Sequence, residues 1–217
     1  MPMKATHSIL LALGVSLPTT FAALRPPAPP AQEQSPDAAM AEMMAKMTKF
    51  TQPAEQHELL GLLVGEWDVK AQLIMGGQAG PASDGKSVTT WKKEGRWIES
   101  EWSGSLMGMK GSVVHWIGYD LMRQSYVWTG ISDFDTAMNR AEGDLTPDGN
   151  TLILFGTLDE YITGEIAKMV KYVYRFDGQR DESGSLTSID SYTLEVHDMP
   201  IGETNTMVMQ FSYQRAK

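Results

Sequence analysis

Gly65-Glu66-Trp67-Asp68-Val69-Lys70-Ala71-Gln72-Leu73-Ile74-Met75 is the stretch whose pattern decides the architecture. Trp67, Val69, Ala71, Leu73 and Met75 alternate with Glu66, Asp68, Lys70 and Gln72, the period of a strand with one apolar and one polar face. Immediately upstream, Pro53 to Val64 sets Leu59, Leu60, Leu62 and Leu63 along one side of a helical period. A short helix therefore gives way to a strand at Gly65. The change from period 3.6 to period 2 persists for the rest of the chain.

Beyond Trp67 about ten strand-like segments alternate with turn residues. They run over Gly65 to Met75, Ser87 to Lys93, Trp97 to Ser105, Ser112 to Tyr119, Ser125 to Ser132, Asn139 to Leu145, Thr151 to Leu158, Lys168 to Phe176, Leu186 to Val196 and Thr206 to Arg215. Glu94-Gly95, Tyr119-Asp120, Pro147-Asp148-Gly149-Asn150 and Asp181-Glu182-Ser183-Gly184 punctuate them with turn chemistry. An antiparallel meander of this length has two exposed edges unless it closes. The expected fold is all-β, a closed up-and-down antiparallel barrel preceded by one or two short helices. In a closed barrel the last strand lies beside the first, which would bring the Arg215 guanidinium over the Trp67 ring as a cation–π lid. The competing reading leaves Arg215 as a solvated terminal charge.

The N-terminal 22 residues have the three parts of a secretory signal: a basic start at Met1 to Lys4, an apolar run from Ile9 to Leu17, and Pro18 with small residues up to Ala22. Cleavage is expected between Ala22 and Ala23, giving a periplasmic or extracellular protein; an uncleaved anchor is the alternative. No segment approaches the roughly 20 apolar residues of a membrane span, and with no cysteine there is neither a disulfide framework nor a lipoprotein anchor. Residues 23–35, with Arg25-Pro26-Pro27-Ala28-Pro29-Pro30, read as an extended linker. A net charge of −9 with scattered Lys and Arg argues against nucleic acid or an anionic membrane as partner.

Residues 36–50 place Met40, Met43, Met44 and Met47 in a helical stripe behind Ser35 as N-cap. The stripe is either a thioether site for Cu(I) or an adaptable face that docks on the barrel or a partner. The spacing already serves packing, and no neighbouring His or Cys reinforces a metal site, so the packing reading is preferred.

Pro53-Ala54-Glu55-Gln56-His57-Glu58-Leu59 followed by Leu63-Val64-Gly65-Glu66-Trp67 resembles the opening of the bacterial domain of unknown function 1579 family. Gly95-Arg96-Trp97-Ile98, Gly118-Tyr119-Asp120, Trp128-Thr129-Gly130 and Glu142-Gly143-Asp144-Leu145 with Asp148-Gly149 continue the likeness in order. The resemblance covers Pro53 to Arg215 and implies a calycin-like barrel over residues 53–217, of the shape of lipocalins, fatty-acid-binding proteins and nitrobindin-type haem barrels. It implies no catalytic residues.

The chemistry-bearing residues are sparse. His57, His115 and His197 form no metal motif, so no metal or cofactor is expected; an inward His115 or His197 ligating haem is the alternative. There is no nucleophile elbow. Glu99 and Glu101 project together from one strand face, either as paired carboxylates able to divide acid and base roles or as a solvated outward pair, and the runner-up reading is a small-barrel enzyme, of isomerase or decarboxylase type, that uses Glu or Tyr as acid and base. No catalytic residue is assigned. The aromatics carry more: a barrel of about ten strands leaves room for a small apolar ligand. Trp102, Trp116, Trp128, Tyr172, Tyr174, Met209 and Phe211 are the candidate walls, with Trp67 and Arg215 as the closure pair. The leading expectation is an exported binder of a small hydrophobic molecule; a structural, partner-docking module is the third reading.

Overall fold

The structure, a computed structural model, describes residues 35–160, 164–199 and 207–217. The expected signal segment over 1–22 and all of the linker except Ser35 lie outside the described residues. The chain forms two units, Met1–Ala41 and Glu42–Lys217, the second holding every strand. Helix α1 spans Pro36–Thr51; Ser35 Oγ accepts a hydrogen bond from the Ala38 N–H at 3.2 Å, and no residue of the helix is buried. The methionine stripe is open along its length, with Met43, Met44 and Met47 each about half exposed.

A 3-10 turn at Glu55–His57 leads into α2 (Glu58–Leu63), which buries Leu59, Leu60 and Leu63. Strands follow as β1 (Gly65–Met75), β2 (Gln78–Ala79), β3 (Ser83–Lys93), β4 (Trp97–Leu106), β5 (Met109–Asp120), β6 (Ser125–Ser132), β7 (Asn139–Leu145), β8 (Thr151–Glu160), β9 (Glu165–Asp177), β10 (Ser191–Asp198) and β11 (Met207–Arg215). From β3 to β11 each strand pairs with its neighbour in sequence, β1 pairs with β3, and β11 returns antiparallel to β1, from Trp67↔Arg215 to Leu73↔Met209. Ten long strands thus close into a barrel with no free edge, and β2 is a two-residue appendage on the end of β1.

Strand β10 begins at Ser191, five residues later than the sequence pattern suggests. Leu186 makes only an isolated bridge with Arg180, because Asp181 Oδ1 takes the backbone N–H groups of Ser183 and Ser185 and curls the chain. The carbonyls of Ile189 and Asp190 then serve β11 instead of β9: they accept from the Arg215 guanidinium and the Arg215 N–H.

One end of the barrel is shut by α2 and the Trp67–Arg215 pair. The last carbonyls of a helix have no partner inside it; here Trp67 Nε1 donates to Leu63 O at 3.1 Å, and Arg215 donates to Leu62 O at 2.7 Å and Val64 O at 3.1 Å. The guanidinium carbon sits 4.2 Å from the Trp67 ring centre, so one cation ties the helix end, the first strand and the last. Gly65 is required between them. Its φ is +142°, and a Cβ there would stand 2.6 Å from Arg215 Nη1. Tyr126 Oη, donating to Gln56 O at 2.7 Å, and the edge contact of His57 with Tyr119 hold the 3-10 turn over the same end.

Candidate functional site

The opposite half of the barrel is not filled. Inward residues of β4, β5, β6, β9, β10 and β11 surround a cavity of about 490 Å³, within the roughly 300 to 1,000 Å³ of small-molecule sites. Its walls are Trp102, Val113, His115, Trp128, Tyr172, Leu194, Val196, Met209 and Phe211. Its mouth is formed where β1 ends, by the β4–β5 turn and by the ends of β8, β9 and β10. A wider concavity on the outer barrel face is open to solvent, with the Lys70–Asp84 ion pair and Ser212 among its lining residues.

Of the expected wall residues, Trp102, Trp128, Tyr172, Met209 and Phe211 stand together on this cavity. Tyr174 is inward but sits below it, enclosed by Phe176 and Tyr192. Trp116 is corrected: it lies on the outer face, where Nε1 donates to Glu99 Oε2 at 2.7 Å. The register decides this. Ile117 and His115 are opposite Ile98 and Ser100, whose side chains are buried, so Trp116 must share the outer face with its partner Glu99.

Several wall residues escaped the sequence pattern. Phe134 comes from the β6–β7 loop, and its ring lies 6.3 Å from Trp102. Val208 lies on the polar side of a strict alternation, yet it lines the cavity with Met209. A bulge opposite Val196 and His197 shifts the register of β11 there, pairing Val196 with Met209 and His197 with Met207. Nothing in the alternation of β11 marks that extra residue.

His115 is the one imidazole on the cavity wall. Its residue surface is 5% exposed, and the ring stacks on Trp128 at 5.7 Å, which in turn stacks on Tyr172 at 4.7 Å. No hydrogen bond among the described residues reaches the ring. Burial pushes its pKa down to about 4, so the imidazole is neutral at physiological pH. His197, the other inward-haem candidate, faces outward and pairs with Glu195 at 3.1 Å. Burial also raises the Tyr172 phenol well above its ordinary value, so it stays protonated.

Charge is confined to the mouth. Lys168 Nζ lies 2.7 Å from Asp198, 3.7 Å from Glu160 and 3.6 Å from Glu165, and the hydrogen bond to Asp198 leads the interactions that hold its pKa up. Asp135 and Asp159 complete the mouth. Glu99 and Glu101 are on the outer barrel face. Glu99 is clamped by Lys92 at 2.7 Å and by Trp116, and chiefly the Lys92 hydrogen bond lowers its pKa, the reverse of what a general acid needs. Among the described residues no helix is long and apolar enough to cross a membrane, and no group of three or more His, Asp or Glu is arranged to hold a metal.

No curated protein matches the chain. Among solved structures it is similar to the crystal structure of Rv2717c from M. tuberculosis, with 12% identity, a TM-score of 0.48, and coverage of 76% of this chain and 100% of that one. The ordered motifs from Pro53 to Arg215 have a direct counterpart: the chain belongs to the family described as protein of unknown function (DUF1579), which matches residues 52–215.

Proposed function

We propose that this chain is an exported protein that holds one small, predominantly apolar molecule inside its barrel. The observation that carries the reading is the cavity of about 490 Å³ walled by Trp102, Trp128, Tyr172, Leu194, Val196 and Phe211. A void of this size with apolar walls forgoes the packing contacts that its lining could make, a cost that filling side chains would remove and that a ligand offsets. Native mass spectrometry of the purified protein is expected to release a bound small molecule. The uncharged dye Nile red is expected to bind the emptied barrel with a blue-shifted emission. Val196→Trp, which places an indole in the cavity, should weaken that binding at least tenfold while the fold is kept; unchanged dye affinity in this variant would remove the cavity from the reading.

Export rests on the basic start, the apolar run and the small residues before Ala23. Expressed at full length in a Gram-negative host, the protein should be recovered outside the cytoplasm with a mass corresponding to a chain that begins at Ala23. Recovery of the intact 217-residue chain from the cytoplasm would refute this part.

A further inference from the structure

We propose that the cavity selects uncharged apolar molecules bearing a single hydroxyl or ring N–H that hydrogen-bonds His115, and that it rejects carboxylate-bearing lipids. The inference rests on the ligand-binding reading above and names the ligand class of the same cavity. Two independent features support it, one at the wall and one at the mouth.

At the wall, His115 is enclosed among rings with no hydrogen-bond partner among the described residues. A neutral imidazole carries one donor and one acceptor. Leaving both unmet in a low-dielectric interior is unfavourable, and a ligand hydroxyl or N–H can satisfy one of them. His115 lines the inner wall beside Val113, Trp128, Tyr172 and Phe211, and it is the imidazole there, next to the Tyr172 phenol and the unpartnered indole N–H groups of Trp102 and Trp128. An ionised ligand would enter a chamber whose inner walls hold no counter-charge, and the loss of its hydration would go uncompensated.

At the mouth, the carboxylates of Asp135, Asp159, Glu160 and Asp198 stand against one ammonium, Lys168, which already lies within 4 Å of Asp198 and Glu160. No arginine lines the cavity. A fatty acid therefore meets net negative charge on approach and finds no uncommitted cation among the lining residues.

Isothermal titration with 2-naphthol, naphthalene and 2-naphthoate tests this. On the ligand-free protein, 2-naphthol is expected to bind about tenfold more tightly than naphthalene, the effect of one net hydrogen bond, and at least a hundredfold more tightly than 2-naphthoate. In His115→Phe, which keeps a ring against Trp128, the advantage of naphthol over naphthalene should vanish while naphthalene binding persists. In the unsubstituted protein, the nitrogen resonances of the His115 imidazole should move on adding naphthol and not on adding naphthalene, which tests the contact without any variant. Naphthoate binding as tightly as naphthol, or a naphthol advantage that survives in His115→Phe, overturns the inference and leaves the ligand-binding reading standing. Failure of naphthol and naphthalene alike to bind, together with an empty barrel in native mass spectrometry, overturns both.

Discussion

Trp67→Ala is expected to lower the stability of the barrel by about 3 to 5 kcal/mol, the range for emptying an aromatic site in a core. Trp67 is 1% exposed and meets Tyr192 edge-on at 4.8 Å. Truncation removes that packing, leaves the Leu63 carbonyl without its donor, and takes away the ring beneath Arg215. For a domain of this size the loss corresponds to a fall in melting temperature of roughly 6 to 20 °C, readable by circular dichroism. Trp67→Phe keeps a ring under the guanidinium and gives up only the hydrogen bond and part of the packing, so its loss should be clearly smaller. Equal losses in the two variants, or a negligible loss in Trp67→Ala, would take the Trp67–Arg215 closure out of the account of stability.

The second large effect is a pH dependence centred on His115. In the unfolded chain this imidazole titrates near 6.5, whereas burial holds it at about 4 in the native barrel. Between those values the unfolded state takes up a proton and the native state does not, so acidification favours unfolding. The site's contribution is fully present above pH 6.5 and is lost as the pH falls towards 4, by about 3 kcal/mol at 1.36 kcal/mol per pH unit. Carboxylates such as Asp148, held down to about 2 chiefly by the Thr146 hydroxyl, add their own acid sensitivity at lower pH. They are common to the parent protein and His115→Phe and cancel in the comparison. Urea unfolding at pH 7, 5.5 and 4.5 should therefore show His115→Phe gaining progressively on the parent as the pH falls. Parallel curves would mean that the imidazole titrates normally in the native protein.

Most of the scaffold could be read from side-chain alternation. Gly65 to Met75, Ser125 to Ser132 and Asn139 to Leu145 coincide with β1, β6 and β7, because each is bounded by a turn or by the helix end and carries an unbroken period of two. The closure of β11 on β1 followed from the same pattern joined to the cost of open edges. The site was less legible. Trp102, Trp128, Tyr172, Met209 and Phe211 lie on the cavity since each belongs to the apolar side of its strand. Trp116 does not, because both sides of β5 are apolar in composition: Val113, His115 and Ile117 on one, Val114 and Trp116 on the other. The outer tryptophans also have their own role there, as Trp97 lies flat over Gly118 across the β4–β5 ladder, where any Cβ would collide with it. Phe134 and Val208 depend on a loop and on a bulge, neither of which has a period.

The sequence by itself determined that a short helix precedes a closed antiparallel barrel, that Trp67 and Arg215 occupy its first and last strands, and that each strand has two distinguishable faces. Those properties are local, set by the alternation of the side chains and by turn residues acting over a few positions. Only the tertiary structure decided which face of β5 looks inward, and with it that His115, not Trp116, reaches the cavity. The reason is the period of two itself: a shift of one residue in register exchanges the faces of a strand. That choice is made by pairing with Ile98 and Ser100 across β4, within a barrel whose register closes once around all ten long strands.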